Sequence, residues 1–395
     1  MSTLKVDNIR HNSATSDAIT TAADGTCTAR ITGMTGGGGL SHRNIIINGA
    51  MNVAQRGVSS TTNVYNTVDR MACVFGNVDE NPTQEQVDVA SGTTPYSLGF
   101  RKAFKITNGD QTNGLGTNDI IEALRYRVEA QDMATCGWNY TDPNSFITLS
   151  FWVKSSVSFN MKGYFFHHDG STQSYPLETG TLTADTWTKI VRTIPGNSNV
   201  AFDMDNAVGL TISFGIFGSL FSSANPPVNQ WVSYSSATLT NPSEDTWYTT
   251  NDATLEFTGL QLEVGDTATS FEHIRYADEL LRCQRYFTFV PSGTVFPGRG
   301  NSGSSYIYSY QAPVPMRASP TIGTSNDIAH GTFSVRRYRD GTGVSDSTST
   351  PTTNSTYFQG NTNMIHLIQG GFSGADDRSA TLFVGGGAIT MSAEL

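Results

Sequence analysis

The chain has 395 residues, a net charge of −10 and a pI near 5.1. Charged residues make up 15% of it, against roughly 25% in ordinary soluble proteins. No long run of Lys or Arg occurs, which excludes the clustered cationic surface that nucleic acid requires. Its 39 glycines, with abundant Ser, Thr and Asn, suit turns and half-exposed strands rather than helices, so the composition predicts an all-β protein.

In chain order, residues 1–43 stand apart. Leu4, Val6 and Ile9 hint at one short strand, and residues 35–39 read as a flexible Gly-rich linker. A segment this poor in large apolar side chains is ordered only by docking on a partner or on sister chains. Residues 44–49 form an apolar run ending at a turn and are expected as a buried strand. Further strand-like runs follow at 100–106, 147–153, 161–166, 189–194, 210–217, 231–239 and 255–264. In the second of these, Ile147, Leu149, Phe151 and Val153 alternate and should face a core. Short strands separated by Gly, Pro and Asn turns predict a β-sandwich or barrel over residues 44–275.

Residues 276–285 read as a closing helix, with acids in the first turn and bases in the last. Asp278 and Arg282 are spaced as an i,i+4 pair, and Tyr276, Leu280, Cys283 and Phe287 should share a face. Helix and connecting strand occupy 276–290. Residues 291–395 form a C-terminal β-rich domain, with strands at 306–310 and 380–384, a proline-punctuated link at 313–320 and an exposed loop at 340–363. The four cysteines are far apart, without CxxC spacing, and are expected as mostly buried free thiols. The apolar stretch 210–221 is broken by Ser213, Gly215, Gly218 and Ser219, so no membrane insertion is expected. The first ten residues lack the apolar core of a signal peptide.

Candidate chemistry is sparse. Asp203 and Asp205 would share a strand face and are a calcium candidate, since hard cations take clustered oxygens. The same acids, or Glu244 with Asp245, are the nearest approach to a glycosidase pair. The simpler reading is a solvated turn, no cofactor and no catalytic residue. His167 and His168 are adjacent, so on a strand they point to opposite faces and cannot easily hold one metal. His167 and Asp169 flank a hairpin turn that could contact a ligand. Trp138 and Tyr140 lie in one polar loop, Trp247 and Tyr248 in another. Loop aromatics suit sugar faces, so these four are ligand-binding candidates. Trp152 and Trp187 are expected in the core.

Several stretches carry a resemblance. Asn44-Ile45-Ile46-Ile47-Asn48-Gly49-Ala50-Met51-Asn52-Val53-Ala54-Gln55-Arg56-Gly57, with Tyr65 and Val68-Asp69-Arg70, resembles the opening of a module recurrent in bacteriophage tail-fibre proteins, and residues 1–43 resemble the N-terminal segment of marine phage fibres. The segment from Phe257-Thr258-Gly259-Leu260-Gln261-Leu262-Glu263 through Phe271-Glu272-His273 to Arg282-Cys283-Gln284-Arg285-Tyr286-Phe287 resembles its far end. Residues 149–156 are similar to the inner strand of carbohydrate-binding jelly rolls, which implies that the central domain is a jelly-roll β-sandwich. The usual proline after Ala268-Thr269 is replaced by Ser270. The resemblance covers roughly 44–290. It implies a homotrimeric virion component, attached to other tail proteins through residues 1–43, that contacts a host-surface glycan or receptor; the sparse candidate chemistry adds the expectation of no catalysis. A purely structural fibre or decoration protein, or a polysaccharide depolymerase, are the competing readings.

Overall fold

The computed structural model describes residues 42–218 and 225–302, apart from 112, 117, 241–245 and 292, and residues 305–323. It also describes 6–10, 19–21, 23, 27–29, 333–339, 342–346, 352–353, 364–370, 379–384 and 388–395. The linker expected at 35–39 and the pair Glu244 and Asp245 lie outside these residues.

Every strand pairing among the described residues is antiparallel, and the protein is all-β as its composition predicts. Near the N-terminus, β1 (Asn8–Ile9), β2 (Ile19–Thr21) and β3 (Cys27–Ala29) form a small sheet. The sandwich strands are β4 (Ser59–Ser60), β5 (Ala72–Gly76), β6 (Thr83–Asp88), β7 (Lys102–Thr107), β8 (Ile120–Glu129), β9 (Phe146–Ser155), β10 (Phe159–His167), β11 (Gln173–Leu182), β12 (Thr188–Pro195), β13 (Val208–Phe217), β14 (Val232–Ser233) and β15 (Thr254–Val264). They form two six-stranded sheets, ordered β14-β11-β10-β13-β8-β5 and β12-β9-β15-β7-β6-β4. Two short helices, α1 (Thr94–Ser97) and α2 (Ala130–Thr135), lie between strands.

Period-2 alternation builds the core. Ile147, Leu149, Phe151 and Val153 of β9 are at most 1% exposed. They meet Leu210, Ile212 and Phe214 of β13 from the other sheet. Phe151 and Phe214 span the gap with ring centroids 4.6 Å apart. Each such ring withdrawn from water contributes about 1.5–3 kcal/mol.

Residues 44–49 depart from expectation: they are a buried turn, not a strand. Side chains satisfy their amides. Ile46 N–H donates to Asn44 Oδ1 (3.0 Å), Ile47 N–H to the Tyr126 hydroxyl (2.8 Å) and Asn48 N–H to Glu279 Oε1 (2.6 Å). A ladder is dispensable because the N–H groups of residues 44–48 have other acceptors. Residues 231–239 also differ, giving the short β14 and a 3-10 turn at Ser236–Thr238.

Helix α3 (Tyr276–Gln284) forms where predicted, with Cys283 and Phe287 of the expected face buried and Tyr276 turned out. Glu279 and Cys283 are buried, whereas Tyr276 is 58% exposed. Glu279 turns inward to hold the Asn48 amide. Asp278 pairs with Arg275 (3.3 Å), and Arg282 donates to His42 Nδ1 (2.8 Å), so the expected Asp278–Arg282 pair does not form.

Beyond it run β16 (Phe287–Val290), β17 (Val295–Ser302), β18 (Ser305–Gln311), β19 (Thr321–Gly323), β20 (Phe333–Arg339), β21 (Thr342–Asp346), β22 (Thr352–Thr353), β23 (Met364–Gly370), β24 (Ser379–Val384) and β25 (Ile389–Ser392). A seven-stranded sheet is ordered β21-β20-β24-β17-β18-β23-β22, and a three-stranded one β16-β25-β19. The loop expected at 340–363 therefore contributes β21, paired with β20, and β22, paired with β23. Ladder partners in the flanking strands β20 and β23 override the local turn composition.

Residues after β25 return to the sandwich. Arg127 Nη1 donates to Leu395 O (2.7 Å), and Arg317 Nε to Ala393 O (2.7 Å). Arg56 Nη2 lies 3.0 Å from Glu394 Oε1, and Arg70, fully buried, pairs with the other oxygen of Glu394.

Candidate functional site

The loop aromatics prove mostly enclosed. Trp247 and Tyr248 are fully buried. Trp247 stacks on Phe217 at 4.6 Å, and the Tyr248 hydroxyl donates to Asp119 Oδ2 (2.8 Å). Trp138 is 4% exposed, with its indole N–H on Ser145 O (3.2 Å). Trp138, Trp247 and Tyr248 point inward and have no face to offer a ligand. This corrects the expectation for Trp138, Trp247 and Tyr248.

Four candidates come together at one end of the sandwich. Half-buried Tyr140 meets Phe202 edge-on at 5.0 Å, Trp138 lies 6.3 Å from Tyr140, and His167 meets Phe202 at 5.3 Å. Asp203 N–H donates to Asp169 Oδ2 (3.3 Å). The cluster is a packed plug of rings. His167 is fully buried on the backbone of Ala201, and burial lowers its pKa. Asp203 and Asp205 sit in an exposed turn rather than on a strand. Asp205 Oδ1 accepts the Ala207 amide (3.0 Å). Among the described residues no group of three or more His, Cys, Asp or Glu side chains is placed to hold a metal ion.

His168 takes the opposite face from His167, as alternation requires. Its Nε2 lies 2.8 Å from Thr211 Oγ1, under Phe166 at 4.3 Å. Burial first, then Arg127, His167 and Arg125, brings its pKa from 6.5 down to about 4. The folded value is depressed, so its contribution to stability is present above pH 6.5 and fades as pH falls toward 4. An NMR titration of its ring Cε1 proton should show a midpoint near pH 4; a midpoint close to the ordinary histidine value would contradict this packing. Cys73, Cys136 and Cys283 are free thiols, each with its pKa raised chiefly by burial, which makes them poor nucleophiles.

The open site lies elsewhere, on the outer face of the β12-β9-β15-β7-β6-β4 sheet. Ser150, Trp152 and Lys154 alternate with the core residues of β9 and so point outward. Trp152 is half-buried, not core, and pairs in register with Lys189 of β12 and Thr258 of β15. Trp187 is likewise half-buried on this face, with Lys154 Nζ 5.4 Å from its ring. Beside Trp152 opens a cavity of about 430 Å³. Its floor is Ser150, Trp152, Lys189 and Gly259; its walls include Leu98, Phe100, Phe271 and His273.

The wall is built by the stretch after β15. Register shifts between Thr258 and Gln261, with Gly259 at φ 66°. A β-carbon there would lie 2.6 Å from the Phe100 ring, so this bulge demands glycine. Gln261 and Glu263, both buried on the outer face, anchor the returning chain. Glu263 accepts from the Thr269 amide (2.8 Å) and hydroxyl (2.6 Å), and Gln261 Oε1 accepts the Glu272 amide (2.8 Å). Phe271 and His273 thereby meet Phe100, with centroids 4.9 and 5.1 Å from it. His273 Nε2 lies 2.9 Å from Leu98 O; a carbonyl only accepts, so Nε2 carries the proton. Outward spacing on β9 could have revealed Trp152; nothing local identifies its neighbours.

No family model matches the sequence, and neither does any curated protein. Among solved structures it is similar to the enzymatically active domain of tailspike protein 4 of bacteriophage CBA120, at 9% identity and a TM-score of 0.29. That match covers 56% of this chain and 21% of the tailspike chain. A CBM22-1–CBM22-2 tandem domain from Paenibacillus barcinonensis matches at 9% identity over 81% of this chain and 93% of its own, with a TM-score of 0.25. A family 11 carbohydrate-binding module from Clostridium thermocellum, in complex with a mixed-linked tetrasaccharide, matches at 12% identity over 54% and 98%, with a TM-score of 0.23.

Proposed function

We propose that this chain is a bacteriophage tail-fibre protein that attaches to a host-surface glycan without catalysis, and that the groove beside Trp152 is where the glycan sits. The observation that carries the glycan reading is the half-buried Trp152, on the lining of an open cavity that the hydroxyl-bearing Ser150 and Ser270 share. Pyranose rings present one C–H face and a rim of hydroxyls, which such a floor and rim match. The reading of no catalysis draws on the described lining residues, which include no carboxylate; glycoside hydrolysis uses two, about 5–10 Å apart. The tail-fibre assignment and the trimer rest on the sequence motifs at 44–70 and 257–287.

The test is retention of the purified protein on an array of bacterial surface polysaccharides, with reducing ends assayed in the same wells. Binding is expected without sugar release, and light scattering should give three times the 42.6 kDa chain mass. Retention on no glycan would remove the attachment reading, release of sugar would make the protein an enzyme, and a monomer mass would refute the trimer.

A further inference from the structure

Resting on the glycan reading above, we infer that the sugar bound beside Trp152 is a hexuronic acid, its carboxylate received by Lys189. The first ground is charge pairing. Among the described residues, four lysines each hold a carboxylate: Lys102 with Asp88 (2.6 Å), Lys105 with Glu85 (3.3 Å), Lys154 with Glu256 (2.8 Å) and Lys162 with Glu178 (2.7 Å). Lys189 is the remaining described lysine; it is exposed and forms no ion pair among the described residues.

The second ground is position. Lys189 is the direct cross-strand partner of Trp152 and lines the cavity. Opposed side chains on neighbouring antiparallel strands stand about 5 Å apart at Cβ. That suits a pyranose ring lying on the indole with its ring-borne carboxylate reaching the ammonium. Lys154, the next outward cation on β9, is occupied by Glu256 and the Trp187 ring.

The third ground is the sign of the surroundings. The chain carries a net charge of −10, yet the described residues lining the cavity include no acid. The nearby carboxylate of Glu263 is buried and engaged by Thr269 and Gln261. Among the described residues, an anion here meets the Lys189 ammonium and little opposing charge. A single lysine is a point charge suited to one carboxylate rather than a bidentate clamp.

Whole protein would be titrated with polygalacturonate, alginate and hyaluronate, each against its carboxyl-reduced neutral counterpart and against dextran sulfate. At least one uronate should bind about tenfold tighter than its reduced form, since a charge-assisted hydrogen bond is at stake. High salt should erode that preference. Lys189→Met should bring the uronate to the level of the neutral polymer, and Lys189→Arg should restore most of the gap. Equal binding of acid and reduced forms overturns the uronate assignment and leaves the glycan reading intact. So does binding of neutral polymers alone, or dextran sulfate binding as well as any uronate. Failure of all polymers, neutral ones included, sinks both. Circular dichroism matching the parent chain confirms that an exposed substitution has not unfolded it.

Discussion

Replacing Glu394 with alanine should lower the unfolding free energy by about 3–5 kcal/mol, the cost of leaving a buried partner charge uncompensated. The Arg70 side chain is 1% exposed and that of Glu394 8%. Arg70 has no route to water: its guanidinium lies 3.5 Å over the Tyr286 ring and 5.2 Å from Tyr126, and Nη2 donates to Arg127 O (2.6 Å). Glu394 also holds Arg56 (3.0 Å), whose guanidinium stacks 3.7 Å over Phe287. Removing one carboxylate therefore strands Arg70, leaves Arg56 only Asp69 at 3.8 Å, and loosens the chain that returns after β25. By contrast Lys102 and Asp88, 37% and 82% exposed, form a solvent-screened pair. Lys102→Ala should change stability by no more than about 1 kcal/mol. Urea denaturation measures both, and hydrogen exchange should show β25 amides losing protection in the Glu394 variant. A Glu394→Ala protein within about 1 kcal/mol of the parent, far below the cost of a stranded buried charge, would refute the clamp.

The same network carries a pH signature. Burial, opposed by Arg56 and Gln55, raises the Asp69 pKa from 3.8 to about 6. An acid with a raised folded pKa is better tolerated protonated, so this group favours the folded state increasingly as pH falls from about 6 toward 3.8. His168 acts in the opposite sense over an overlapping window, which partly offsets it.

Trp152→Ala should weaken binding to any glycan retained by the parent roughly thirtyfold, the scale of an aromatic anchor at the centre of an interface. The fold should survive, because the ring lies on the outer face and leaves the inter-sheet core intact. Trp247→Ala makes the contrast. That ring is fully buried against Phe217, so its removal should cost about 3–5 kcal/mol of stability. At a temperature where the variant remains folded, its affinity should match the parent. Isothermal titration and thermal melts together separate the outcomes. If Trp247→Ala lost affinity while Trp152→Ala did not, the site would belong at the other tryptophan and the groove would be wrong.

Much of the architecture is legible in local stretches of sequence. The alternation at 147–153, the turn residues between runs and the acid-to-base charge order at 276–285 are local signals, and strands and a helix form there. The hairpin at residues 168–172 is equally local, since Gly170 supplies the positive φ of 58° that closes β10 onto β11. The departures share a cause. Residues 44–49 have the composition of a strand, but acceptors from Tyr126 and Glu279, far away in sequence, make their turn stable. Residues 340–363 have the composition of a solvated loop, yet β20 and β23 supply ladder partners.

Aromatic side chains show the division most clearly. Sequence by itself determined an all-β chain and two-faced strands, because alternation depends only on neighbouring residues; Trp152, expected in the core, proved to lie half-buried on the outer face. Sequence could not determine which aromatic would be covered, because cover arrives from elsewhere in the chain. Trp247, in a polar loop, is closed in by Phe217 of β13. Trp152 is left open where residues 268–273 rise beside it as a wall, held by Gln261 and Glu263. Burial is a property of the pair of surfaces that meet, and only the tertiary structure decides which surfaces do.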